Sequence, residues 1–151
     1  MRLEQQLFKI IVENTPLISI DLIVRDSQKQ VLLGKRQNRP AQNFWFVPGG
    51  RVFKDEPLEE AFKRITFEEL GVRCLSSDAK FLGVFEHFYN DNFFGNDFTT
   101  HYIVLGYEIN LSDVNFHFPT IQHKAYKWFD GEALLSSTTV HQYTKNYFSL
   151  R

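Results

Sequence analysis

The stretch from Gly50 to Val72, GRVFKDEPLEEAFKRITFEELGV, constrains this chain more than any other. A Gly49-Gly50 turn opens it and a loop with Glu56 follows. A helix is predicted from about Pro57 to Leu70, with Arg64, Glu68 and Glu69 toward its finish. Proline suits a first helical turn, where its missing N–H would go unbonded anyway, and Gly71 suits the position just past the last turn. Two adjacent carboxylates beside an arginine offer hard oxygen to a divalent cation, the usual companion of a diphosphate. Arg64 and Glu68 are four apart, share a helix face and can pair. Glu69 is turned by roughly 100° from Glu68. The two are therefore not equivalent: one can face an ion while the other pairs with Arg64 or supports from behind. The competing reading is a solvated acidic helix end. Carboxylates at a helix C-terminus oppose the macrodipole, which counts against it.

The remaining composition sets bounds. With 151 residues, the chain is expected to form a single domain over 1–151 with a core that needs no staples. A formal charge of −1 gives no basic footprint for nucleic acid. The single cysteine, Cys74, excludes an internal disulfide and fits a reducing compartment. It reads as a small packed hydrophobe. No apolar run is long enough to cross a bilayer, and MRLEQQLFKII lacks a signal-peptide pattern. A cytoplasmic location is expected.

Periodicity supplies the elements. Leu3 to Asn14 reads as an amphipathic helix with Leu3, Leu7, Ile10 and Ile11 at helical spacing, ended by Thr15-Pro16. Leu17 to Arg25 and Val31 to Lys35 read as strands around a turn at Asp26-Ser27-Gln28. Phe44 to Val47 is a short apolar strand before Pro48-Gly49-Gly50. Phe81 to Tyr89, Phe98 to Ile109 and Ala125 to Phe129 are further strands. Short helices near Glu132–Leu135 and Val140–Phe148 close the chain. Strands mixed with few helices indicate an α+β architecture or a three-layer sandwich.

Gly50, Glu56, Arg64, Glu68, Glu69, Gly71 and Val72 fall on the pattern G-x5-E-x7-R-E-U-x-E-E-x-G-U, with U aliphatic. The stretch thus resembles the Nudix box. Ile65 stands where the pattern has its first Glu, and Thr66 where it has an aliphatic residue. The resemblance implies a Nudix-type α/β/α sandwich, a mixed sheet between helices. LGKRQNRPAQNFWFVPGGRV, HFYNDNFFGNDFTTHYIVLGY and the Gln122-His123 pair extend the likeness from about Thr15 to Trp128. These segments resemble the GDP-mannose mannosyl hydrolase branch, which lacks the full set of box carboxylates and cleaves a GDP-hexose at the sugar carbon.

The branch implies a set of roles. Mg²⁺, with Mn²⁺ able to substitute, sits on Glu69, the Gly49 carbonyl and Gln122, and Glu68 leaves room for a second ion. Gly49 and Gly50 let backbone approach an ion closely. Arg36 and Arg51 place guanidinium charge on the phosphates, where bidentate geometry favours Arg over Lys. GDP so neutralised departs without a general acid. His123, an imidazole titrating near neutrality, is the candidate base that activates water. Attack opposite the leaving group inverts the anomeric carbon. Asp21, which interrupts the apolar run SIDLIV, holds sugar hydroxyls together with His87, and Tyr102 supports the phosphates. Tyr89 and Tyr126 shape the nucleotide pocket. The partners implied are GDP-mannose or GDP-glucose and a second copy in a homodimer, with neither nucleic acid nor membrane. A pyrophosphohydrolase attacking phosphorus and a non-catalytic nucleotide-sugar sensor remain open alternatives.

Overall fold

The computed structural model describes residues 3–111 and 123–149, with the backbone alone for 123 and 124. The element order is α1 (Gln5–Asn14), β1 (Leu17–Arg25), β2 (Val31–Arg36), β3 (Trp45–Phe46), β4 (Gly49–Arg51), α2 (Leu58–Leu70), β5 (Lys80–Tyr89), β6 (Thr100–Asn110), β7 (His123–Phe129), α3 (Gly131–Ser136) and α4 (Gln142–Ser149).

Strand β1 organises the sheet. It runs parallel to β6 along its whole length, from Leu17 opposite Tyr102 to Arg25 opposite Asn110. Its other edge is shared between β4, which pairs Asp21 with Gly49, and β2, which takes over where Arg25 meets Val31. β5 lies antiparallel outside β6, while β7 and β3 pair with β2. The hydrophobic run of β1 follows from this placement, because a strand covered on both faces has no polar side. Ile20, Leu22 and Val24 pack under α2 with Ala61, Phe62, Ile65 and Leu70. Ile23 faces the opposite layer, with Leu33, Phe46, Val47, Leu134, Val140 and Tyr147. The result is the expected mixed sheet between helices. Phe62 is fully buried in it, and truncation there to Ala costs about 3–5 kcal/mol.

Local signals set the ends of α2. Pro57 stands just before its first residue, and Gly71 caps it in the left-handed region (φ 77°), with its N–H on the Phe67 carbonyl at 2.9 Å. Thr66 is buried rather than aliphatic for a reason. Its hydroxyl bonds the Phe62 carbonyl at 2.9 Å and accepts the Cys74 N–H at 2.9 Å, tying the helix to the chain that follows it.

Three expectations shift. Helix α1 buries Val12, while Leu7 and Ile10 are exposed, so the apolar stripe read from the sequence is not the face that packs. Its start is Gln5 rather than Leu3, where the Glu4 carboxylate accepts the Gln6 N–H. The segment Gly49–Arg51 is not just a turn but a strand, β4. No helix among the described residues is long and apolar enough to cross a membrane.

Candidate active site

The loop and helix of the acidic stretch are knitted together by Arg64. Its Nε and Nη2 donate to the two oxygens of Glu56 at 2.7 and 3.0 Å, a bidentate pair. Nη2 also reaches the Arg51 carbonyl at 2.7 Å, and Nη1 reaches Glu68 at 3.1 Å. The Phe53 ring lies beneath the guanidinium at 3.8 Å. Hydrogen bonds from Arg64 hold the Glu56 carboxyl below its ordinary range, against the effect of burial. Glu68 is thereby drawn to the exposed rim.

Glu69 turns inward and is 3% exposed. Its Oε1 accepts the Gly49 N–H at 3.1 Å, which ties the end of α2 to β4. Gly49 could carry no side chain here. A Cβ would lie 2.4 Å from the Ile20 carbonyl and 2.7 Å from Asp21 Oδ1. Asp21 therefore sits on one side of the Gly49 backbone and Glu69 within hydrogen-bond reach of its amide. Gly50 is also close-packed, with the Ile65 side chain 3.1 Å from where its Cβ would be.

Asp21 is buried, and its Oδ2 accepts a hydrogen bond from the Tyr147 hydroxyl. Burial raises its pKa to about 7, against the Tyr147 hydrogen bond and the charge of Arg36, with nearby Glu69 pushing the same way as burial. Around it lies an aromatic enclosure. His87 stacks on Tyr143 at 4.3 Å and 6°, and its ring is also near Phe46, Tyr89 and Tyr147. His141 lies against Phe46, Tyr89 and Tyr143. Burial lowers the pKa of His87 to about 4, helped by His141. Burial likewise lowers His141 to about 4, helped by Arg36. Both imidazoles are neutral at pH 7. A cleft of about 690 Å³ opens beside them, lined by His141, Tyr89, Phe44, Gln42, Arg39 and Asp91 among others.

Arg36 is positioned by the tight loop after β2. Its Nε donates to the Pro40 carbonyl at 2.9 Å, and its backbone pairs with Phe44 and Asn43. Its charge acts on Asp21, Tyr89, Tyr102 and His141 alike. Arg51 lies between the Phe8 and Phe53 rings at 5.2 and 5.0 Å, and burial lowers its pKa. Tyr102 stands between Leu17 and His87 in the sheet, within the fields of both arginines.

Of the residues singled out from the sequence, Asp21, Arg36, Gly49, Arg51, Glu69, His87, Tyr89 and Tyr102 converge. Glu68 stays at the rim with Arg64. Tyr126 does not join His87 and Tyr89. It pairs opposite Gly34, packs on the α2 side and feels the charge of Glu69. Gln122 lies outside the described residues. Of His123 only the backbone is described, at the start of β7 opposite Arg36. His141, Tyr143 and Tyr147 meet the site without having been singled out for it. The spacing of Tyr143 and Tyr147, one helical turn apart, was the available signal.

Residues 15–149 match the NUDIX domain family. The chain belongs to the Nudix family. Low-salt glycan biosynthesis protein Agl8 of Haloferax volcanii is 42% identical over 129 residues, covering 85% of this chain and 80% of that protein. The MutT protein of Methanosarcina mazei superposes with a TM-score of 0.72 at 21% identity, covering 91% of this chain and 94% of its own. The NUDIX domain of Shewanella oneidensis NrtR, solved with ADP ribose, covers 99% of both chains with a TM-score of 0.65 at 19% identity. Membership carries hydrolase activity toward nucleoside diphosphate derivatives, generally with a divalent metal such as Mg²⁺. The residues present suit that Nudix ion. Glu69 is a carboxylate withdrawn from water beside a backbone closed to any Cβ, a hard-oxygen setting. No group of three or more His, Cys, Asp or Glu gathers among the described residues.

Proposed function

We propose that this Nudix hydrolase splits GDP-mannose or GDP-glucose into GDP and free hexose by water attack at the anomeric carbon, with inversion. The observation that carries the reading is the pairing of Asp21 and His87 in one buried enclosure next to Gly49 and Arg36. A diphosphate lying along Arg36 and Arg51 would leave its sugar facing buried polar groups, suited to hydroxyls. The second support is Ile65. Where the box has a carboxylate, this chain buries an aliphatic side chain in the core, 1% exposed. The glycan-biosynthesis name of the Haloferax relative points the same way.

Each group then has a task. Arg36 and Arg51 bind the phosphates and stabilise charge on departing GDP. Tyr102 supports the same phosphates. Asp21 and His87 hold the hexose, and Tyr89 borders the nucleotide. His123 takes the proton of the attacking water. Glu69 and the Gly49 carbonyl, with Gln122, would hold Mg²⁺, or Mn²⁺ in its place, while Glu68 stays with Arg64 at the rim. The ion, when bound, neutralises the diphosphate. The reading includes a homodimer working in the cytoplasm.

The test is hydrolysis of GDP-mannose with Mg²⁺ in oxygen-18 water. The label is expected on free mannose, with unlabelled GDP. Label in GMP or mannose phosphate would instead identify a pyrophosphohydrolase. Tight binding without turnover would identify a sensor.

A further inference from the structure

We infer that the C-terminal helix α4 is a positioning element for the sugar subsite, with Tyr147 fixing which oxygen of Asp21 is offered to the substrate. The inference rests on the reading that Asp21 and His87 receive the hexose.

The sequence places glycine on both sides of Asp21 in the sheet: Gly49 on β4 and Gly106 on β6. Cross-strand neighbours normally crowd a strand residue at about 5 Å. Here neither neighbour has a side chain, so other groups can define the orientation of the carboxylate. On the Gly106 side, the rings of Phe85 and Tyr147 occupy the space, 3.0 and 3.3 Å from where a Cβ would stand. They meet edge to face at 4.7 Å, and Tyr147 is 4% exposed. From there the Tyr147 hydroxyl donates to Asp21 Oδ2. Oδ1 lies over Gly49 and has no hydrogen bond among the described residues. A carboxylate has about four acceptor sites and can present either oxygen. The Tyr147 hydroxyl removes that freedom, committing Oδ2 and leaving Oδ1 on the side of Gly49.

Tyr143 fixes the helix that carries Tyr147. Its hydroxyl donates to the Phe88 carbonyl at 2.8 Å and accepts the Phe88 N–H at 2.9 Å. Its ring stacks on His87, the residue before Phe88. One face of α4 therefore registers both Asp21 and His87 through tyrosines one turn apart.

A tyrosine that merely fills the core would affect every ligand and the fold together. A positioning tyrosine affects the sugar selectively. The test uses Tyr147→Phe, which keeps the ring, and Gly106→Ala, which keeps the hydroxyl but displaces the ring. Both are assayed on GDP-mannose with Mg²⁺, and for inhibition by GDP, which has no hexose. In each variant kcat/KM is expected to fall about tenfold, with the GDP inhibition constant held within about twofold. Equal weakening of GDP, or unchanged kcat/KM in both variants, overturns the inference. Should the wild type not turn over GDP-mannose, the functional reading fails on its own. The crystal structure of Tyr147→Phe then decides: a rotated Asp21 carboxylate supports positioning by Tyr147, and an unmoved one overturns it.

Discussion

On the α2 side of Gly49, Arg64 binds Glu56, Glu68 and a backbone carbonyl through its guanidinium. On the α4 side, among the described residues, no ion pair reaches Asp21, and rings enclose it instead. The first side is built from one continuous stretch, residues 51–69. The second gathers Asp21, His87, Gly106 and the α4 pair Tyr143 and Tyr147 from four separate places in the chain. Charge fixes geometry cheaply at a partly exposed surface, where the partners are strong and directional. Inside the protein an unpaired charge is costly, so shape and neutral hydrogen bonds take over. The contrast matches the proposed division of labour, with phosphate and ion on one side and uncharged hexose on the other.

Glu69→Gln gives the largest effect expected on the α2 side. The amide can still accept the Gly49 N–H, so the melting temperature holds, while Mg²⁺-dependent turnover falls by more than about 100-fold. Comparable loss of fold and activity would erase the distinction between ligand and scaffold. Asp21→Asn probes the other side through pH. A carboxyl with a folded pKa of about 7 against 3.8 unfolded binds its proton better in the native state. Its contribution to stability is fully present below pH 3.8 and is lost as pH rises through 7. The Asn variant should therefore match wild type near pH 3.5 in urea melts. At pH 8 and free of metal, it should exceed wild type by about 2–4 kcal/mol. The imidazoles of His87 and His141, depressed to about 4, act in the opposite sense. Their contribution is full above pH 6.5 and is lost as pH falls toward 4, so His87→Gln should flatten the acid limb of wild-type stability. An unchanged limb would mean that His87 is not held neutral by its enclosure.

Arg64→Ala should cost about 2–3 kcal/mol, less than a fully buried pair because Glu68 is half exposed. Calorimetry should show a fall of roughly 5–10 °C. Added salt should narrow the gap, since screening weakens the wild-type network. A gap indifferent to salt would assign the loss to packing on Phe53. Thr66→Val is the mildest, at about 1 kcal/mol, because two hydrogen bonds go and the volume stays.

The same contrast explains what could be read in the sequence. Strand β1 begins and ends at Leu17 and Arg25 as its apolar run predicts, and α2 is fixed by Pro57 and Gly71, both local signals. The Arg64–Glu68 pair follows from helical spacing alone. The Gly49-Gly50 pair reads as a turn, since glycines in a strand weaken it, yet Gly49–Arg51 is strand β4. It is a strand because close passage past Asp21 and Ile65 requires residues without side chains. Tyr147 could not be matched to Asp21 across 126 positions, and Gly106 carries no sign that it faces a ring. Tyr126 was grouped with Tyr89 as an aromatic, but strand alternation sends it to the α2 side of the sheet.

Ile65 closes the core at the position where the box has an acid. Its side chain packs against Gly50 and shares a buried apolar cluster with Ile20, Leu22 and Phe62. A glutamate returned to that position would have to thread its carboxylate out of hydrocarbon, or leave an ion buried at a cost of several kcal/mol. A glutamate at position 65 would thus demand that its neighbours repack.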